Sequence, residues 1–212
     1  MRMFKFIFLS GLVVFLLTGC DASLNRTIRI KDGEKVGHSL NSVNGSVIIG
    51  SDCVVRGSCR SVNGRVEIGS NSEVDDLQSV NGRIRVASHA EINGDIESVN
   101  GSVTCAAGVK IRGRIASING SIELDNAIVK RDVVTFNGNI SLKNETIVQG
   151  DIIIKDAKFR SRSSRILKIT IADGSVVEGD ILVRDRDKKV RIYLSNGGQV
   201  KGRIEGGEVI HE

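Results

Sequence analysis

The sequence contains no proline, no tryptophan and one tyrosine. Average usage would place about 10 prolines in a chain of this length. Proline removes a backbone donor, so its absence suits a sheet in which every strand pairs on both sides. Aromatic residues make up 3% of the chain, and four of the six Phe (Phe4, Phe6, Phe8 and Phe15) fall at the start. That leaves Phe136, Phe159 and Tyr193 for the rest. Sugar and single-strand nucleic-acid sites built on stacked rings are thereby excluded. There is no Gly-rich phosphate loop, no Cys-x-x-Cys pair and no His-Glu metal motif. Nor does any segment sustain the i, i+3, i+4, i+7 pattern of an amphipathic helix. With 40% hydrophobic and 26% charged residues, the composition is that of a folded chain.

The first twenty residues read as an address. Arg2 and Lys5 precede a run of about twelve mostly apolar residues, too short for a membrane-spanning helix. The run ends in Leu17-Thr18-Gly19-Cys20, which resembles the lipobox of bacterial lipoproteins. The resemblance implies removal of residues 1–19 and lipidation of Cys20, the only covalent addition expected, with no other cofactor. Two or more acyl chains give stable anchoring. Asp21 resembles an inner-membrane retention signal of enterobacterial lipoproteins. The expected location is the cell envelope, with the periplasmic face of the inner membrane favoured over the outer membrane.

The remainder is a repeat. Ser-Val-Asn-Gly starts at Ser42, Ser61, Ser79 and Ser98, and recurs as Ser-Ile-Asn-Gly at Ser117 and Thr-Phe-Asn-Gly at Thr135. The period of 18–19 residues marks a solenoid. A finer step of six runs through Val62, Ile68, Val74, Val80, Val86 and Ile92. Pairs such as Val66-x-Ile68 have the period of two that a strand requires. The reading is an all-β, single-domain, three-sided parallel β-helix of about nine coils, right-handed in preference to left-handed. It spans 36–204, after a lipidated tether and cap at 20–35 and before a tail at 205–212. Asn-Gly, Gly-Ser and Asp-Gly steps are expected to supply positive φ at the corners. Asn44, Asn63, Asn81, Asn100, Asn119 and Asn137 should stack as a structural ladder about 4.8 Å apart.

The stretch Ala90-Glu-Ile-Asn-Gly-Asp-Ile-Glu-Ser-Val-Asn-Gly-Ser-Val103 resembles bactofilins, bacterial polymer-forming β-helix proteins. The Ser-Val-Asn-Gly period resembles still more closely a group of exported bacterial proteins with Thr-Val-Asn-Gly-Ser-Ile repeats. Bactofilins form cytoplasmic filaments and bind membranes through short N-terminal segments. Here a lipobox stands in that place.

Candidate chemistry is sparse. His38, His89 and His211 lie in unrelated coils, and Asp75-Asp76 is the one adjacent acidic pair. Both readings give solvated side chains, so neither a catalytic nor a metal site is assigned. Cys53 and Cys59 are expected at equivalent positions on successive faces of one coil, with Cys105 three coils away, roughly 14 Å. That separation exceeds disulfide reach, and three buried free thiols are expected. Charge is uneven: residues 155–203 hold 13 Lys and Arg against 6 Asp and Glu. Lys158, Arg160, Arg162, Arg165 and Lys168 form a candidate anion contact around an excursion near 158–165.

Three functions follow as expectations. The first is a membrane-anchored, non-catalytic scaffold of the bacterial envelope, self-associating end to end unless its terminal coils are capped. The second is a binding module whose basic loop holds an anionic polymer or lipid headgroups. The third, disfavoured by the missing site chemistry, is an enzyme acting on polysaccharide or acyl donors. Export separates the protein from nucleic acid.

Overall fold

The computed structural model of the protein describes residues 22, 23, 25–156 and 165–212. Among them there is no helix. Twenty-nine short strands build three parallel sheets of 10, 10 and 9 strands, and each sheet takes every third strand in order. The chain is a three-sided parallel β-solenoid of about nine coils, roughly 40 Å long at the usual strand spacing.

One coil shows how sequence becomes shape. Leu77–Ser79 forms the first face, pairing with Cys59–Ser61 below and Ile96–Ser98 above. Ile84–Val86 forms the second face, between Val66–Ile68 and Val103–Cys105. Glu91–Ile92 forms the third, between Glu73–Val74 and Lys110–Ile111. Each three-residue strand alternates in, out, in, so its outer residues point into the core. Leu77, Ile84, Val86, Ile92 and their counterparts in adjacent coils are fully buried. Burying one such side chain contributes about 1.5–3 kcal/mol. The pairing begins well before residue 36, at Ala22–Ser23, Ile28–Ile30 and Lys35–Val36, and continues past 204 to Glu208–His211.

The structure corrects three finer expectations. The apolar series in steps of six does not face one way. Ile68, Val74, Val86 and Ile92 point inward, whereas Val62, Val80, Val99 and Ile118 are half-buried on the outside. The inward place beside each of these is taken by the motif Ser. Ser61 Oγ donates to the Gly45 carbonyl at 2.8 Å and accepts the Gly64 N–H at 2.9 Å, closing the corner from inside. These hydroxyls are buried and satisfied, as an apolar interior requires.

The second correction concerns φ. The Asp-Gly steps at 32–33 and 173–174 do carry positive φ, but none of the seven Asn-Gly steps from Asn44 to Gly138 does. Gly stands there because the coils touch: a Cβ on Gly101 would lie 1.9 Å from the Gly82 carbonyl oxygen. Positive φ gathers instead at the corner between the second and third faces, at Asp52, Asn71, His89, Asn126, Asp173 and Asn196. Asn and Asp tolerate that conformation best.

The third concerns the thiols. Cys53, Cys59 and Cys105 are free and buried. Cys53 and Cys59, however, are not equivalent. Cys59 opens a first-face strand beneath Leu77, while Cys53 lies in the corner row that continues as Ser72. Its Sγ donates to the Lys31 carbonyl at 3.0 Å, as Ser72 Oγ donates to that of Gly50 at 2.8 Å.

Candidate functional site

The Asn row forms as expected and reaches one coil further down. Asn44 Nδ2 donates to Asn25 Oδ1 at 2.5 Å, and Asn63 to Asn44 at 2.7 Å. Asn81, Asn100, Asn119 and Asn137 each donate in turn to the coil below, at 2.8–3.0 Å. At the upper end the Lys188 ammonium donates to Asn137 Oδ1 and to the Phe136 carbonyl. Every amide oxygen from Asn25 to Asn137 is thus occupied, which makes the row structural.

A second row runs along the corner between the third and first faces. The Asp95 N–H donates to Asp76 Oδ1 at 2.9 Å, and the Arg114 N–H to Asp95 Oδ1 at 2.9 Å. The row resumes through Asp132, Asp151 and Asp180 and ends at the Arg203 N–H. That N–H, with the Arg203 guanidinium, holds the Asp180 carboxyl below the usual carboxylate range. Asp76 is therefore a corner cap. Among the described residues no three His, Cys, Asp or Glu side chains gather as a metal site. His38, His89 and His211 are exposed and lie in separate rows.

Cys20 and Asp21 lie outside the described residues, as do Lys158, Arg160 and Arg162. Arg165 and Lys168 are exposed. Lys168 projects from the second face, its Nζ 5.9 Å from the centre of the Tyr193 ring. Burial pushes the thiols of Cys59 and Cys105 up to about 12, so neither supplies a thiolate near neutral pH.

The described residues do form a concave site, on the outside of the first face. It is an open groove running along the stack. One side is the stripe Val62, Val80, Val99, Ile118 and Phe136. The floor is the outward residue of successive strands, changing from Arg60, Gln78 and Glu97 to Ala116 and Val134. Arg114 and Lys155 complete the lining. Arg114 pairs with Glu97 at 2.6 Å and with Asp95 at 3.3 Å. Gln78 Nε2 also reaches Glu97, at 3.4 Å. Arg60 Nη2 donates to Ser58 Oγ at 3.3 Å, while its buried Nε has no hydrogen-bond partner. Burial, then the nearby Arg114, lowers the pKa of Lys155, and Asp132 partly offsets them. Three cations and one carboxylate thus line the cleft, with Asp95 beside Arg114 and Asp132 near Lys155.

The sequence reading missed this cleft. Its floor sits one residue before each motif Ser, where the repeat does not repeat. A gradient from Arg60 to Val134 at that position is the signal that would have exposed it. The comparisons add no relative: no family model matches the chain, and no curated protein or solved structure matches it.

Proposed function

We propose that the protein is an envelope lipoprotein whose solenoid acts as a stiff, non-catalytic scaffold held on a membrane by lipid at Cys20. One observation carries this reading. The strand Ala22–Ser23 pairs in register with Asn41–Ser42, only one residue after Asp21. A lipid on Cys20 would then be fastened directly to the first coil. Its roughly 40 Å of stacked sheet would project from the bilayer. The Asp21 signal favours the periplasmic face of the inner membrane. The terminal coils carry charge on their open edges, including Lys31, Asp32 and Lys35 at one end and Arg203, Glu205 and Glu208 at the other. Charged edges oppose strand addition. This favours a capped monomer over an end-to-end filament.

The test has two parts. Cys20→Ala is expected to abolish lipid incorporation and release the protein from membranes on fractionation. Fluorophores at Asp32 and Asn196 then measure height by quenching from lipid-borne acceptors. Strong quenching at Asp32 and weak quenching at Asn196 is expected. Equal quenching at both, or membrane attachment that survives Cys20→Ala, overturns the proposal.

A further inference from the structure

The first-face cleft has both halves of an amphiphile's complement. Its apolar stripe runs from Val62 through Val80, Val99 and Ile118 to Phe136. Those five coils span about 19 Å at the usual strand spacing. An acyl chain crossing one bilayer leaflet covers about 15 Å. The stripe is therefore long enough for one chain lying along the solenoid axis. At its lower end stands Arg60, whose Nη2 makes one long bond, 3.3 Å to Ser58 Oγ, and whose solvent-shielded Nε has no partner. A guanidinium with so few acceptors is best met by an anion at its terminal nitrogens.

We infer that this cleft binds a single long alkyl chain ending in an anionic head, with the head at Arg60 and the chain running over Val80, Val99 and Ile118 towards Phe136. The chemistry is shared by a fatty-acid carboxylate and a lysophospholipid phosphate. A second copy of the chain fits less well. In a two-fold pairing of this face Arg60 gains no free acceptor, since the one carboxylate lining the cleft, Glu97, is already held by Arg114 and Gln78. A sugar polymer fits less well because the floor ends in Ala116 and Val134, which offer it no hydrogen bonds. The inference stands on the cleft alone and does not depend on lipid at Cys20.

The experiment uses the purified full chain in phosphatidylcholine vesicles, with a diazirine-bearing palmitate or lysophosphatidylglycerol added in vitro. After irradiation, labelled peptides are mapped by mass spectrometry. Labelling is expected at Val80, Val99 and Ile118 and not at Arg85 or Thr104 on the second face. Val99→Asp, at an outward position, is expected to abolish it. Arg60→Gln, which leaves the apolar stripe intact, is expected to weaken binding about tenfold by removing a charge-assisted hydrogen bond. Labelling with palmitate identifies a fatty acid as sufficient, and labelling only with the lysophospholipid identifies the phosphate head as required. Equal labelling of both faces, indifference to both substitutions, or chain-to-chain crosslinks through the cleft overturn the inference. An unchanged far-ultraviolet spectrum and melting temperature in Arg60→Gln keep the test distinct from unfolding.

Discussion

The coils from Asn25 to Ile154 and those from Arg165 to His211 share one sheet topology but are held together differently. In the first region successive coils are offset by 18 or 19 residues, and rows of short side chains bond coil to coil. In the second, the offset is 29 residues from Asp151 to Asp180 and 23 from Asp180 to Arg203. The Asn row has stopped. Strands lengthen to five residues at Leu167–Ile171 and Val190–Leu194. Ion pairs between coils become denser, among them Arg191–Glu208 at 2.9 Å, Arg203–Asp180 at 3.3 Å and Lys201–Glu178 at 3.6 Å. The difference teaches what each device tolerates. Short side chains bond across coils in both regions, since the Asp180 N–H still reaches Asp151 and Asn196 still reaches Asp173, so the extra residues of the connection leave the strand register intact. Long charged side chains add pairs where the Asn row has ended.

The sharpest way to test this contrast is at glycine. Gly101→Ala places a Cβ against the Gly82 carbonyl and is expected to cost at least about 3 kcal/mol, read by chemical denaturation. Gly174→Ala in the second region meets nothing closer than 3.5 Å but has φ +73°. Its expected cost is about 1–2 kcal/mol, that of one left-handed residue. If the two costs are equal, the coils of the first region do not touch as described.

Core truncation comes next. Ile115→Ala, fully buried in mid-stack, is expected to cost about 2–5 kcal/mol. Ile204→Ala, partly exposed near the last coil, should cost less than half as much by the same measurement. A reversed order would mean that the last coil is packed more tightly than the middle of the stack.

The buried thiols add a pH dependence confined to the first region. The folded-state pKa of Cys105 is raised from 9.0 to about 12 by burial. The folded chain thus keeps a proton that the unfolded chain releases above pH 9. The stabilising contribution is complete below pH 9 and is lost as pH rises towards 12, by about 1.4 kcal/mol per pH unit. Cys105→Val should therefore flatten the fall in stability between pH 9 and 11, measured against wild type. An identical slope refutes burial as the cause.

The smallest effects separate the two devices directly. Asn100→Ala removes two row bonds at an exposed corner and is expected to cost about 1 kcal/mol. Arg203→Ala breaks ion pairs in which its own side chain is 78% exposed, and the melting temperature should hardly move. Raising the salt concentration should erase the Arg203 effect and leave the Asn100 effect intact.

Much of this architecture is legible in the repeat. The period names the solenoid, and the Asn column names its ladder. What escapes reading has a physical reason in each case. Asn-Gly is a strong turn signal. From Asn44 to Gly138 the Gly is required by contact between stacked coils and φ is not positive, whereas Asn196-Gly197 does form a positive-φ corner. Val62 and Ile68 look alike in a six-residue rhythm, but a corner between them reverses which side faces the core. The cleft lies where Arg60, Gln78, Glu97, Ala116 and Val134 differ, and a reading built on what recurs passes over such positions.

The Asn row has one more property, and it is electrical. Every amide from Asn44 to Asn137 points its N–H towards the coil below, so their dipoles add as peptide dipoles do in a helix. The negative pole is the Asn137 oxygen, and the Lys188 ammonium sits on it as a counter-charge. The positive pole is the Asn25 amide, in the coil that follows Cys20. In physiological salt such a field is screened beyond about 8 Å. Within that distance of the Asn25 amide it favours anionic groups.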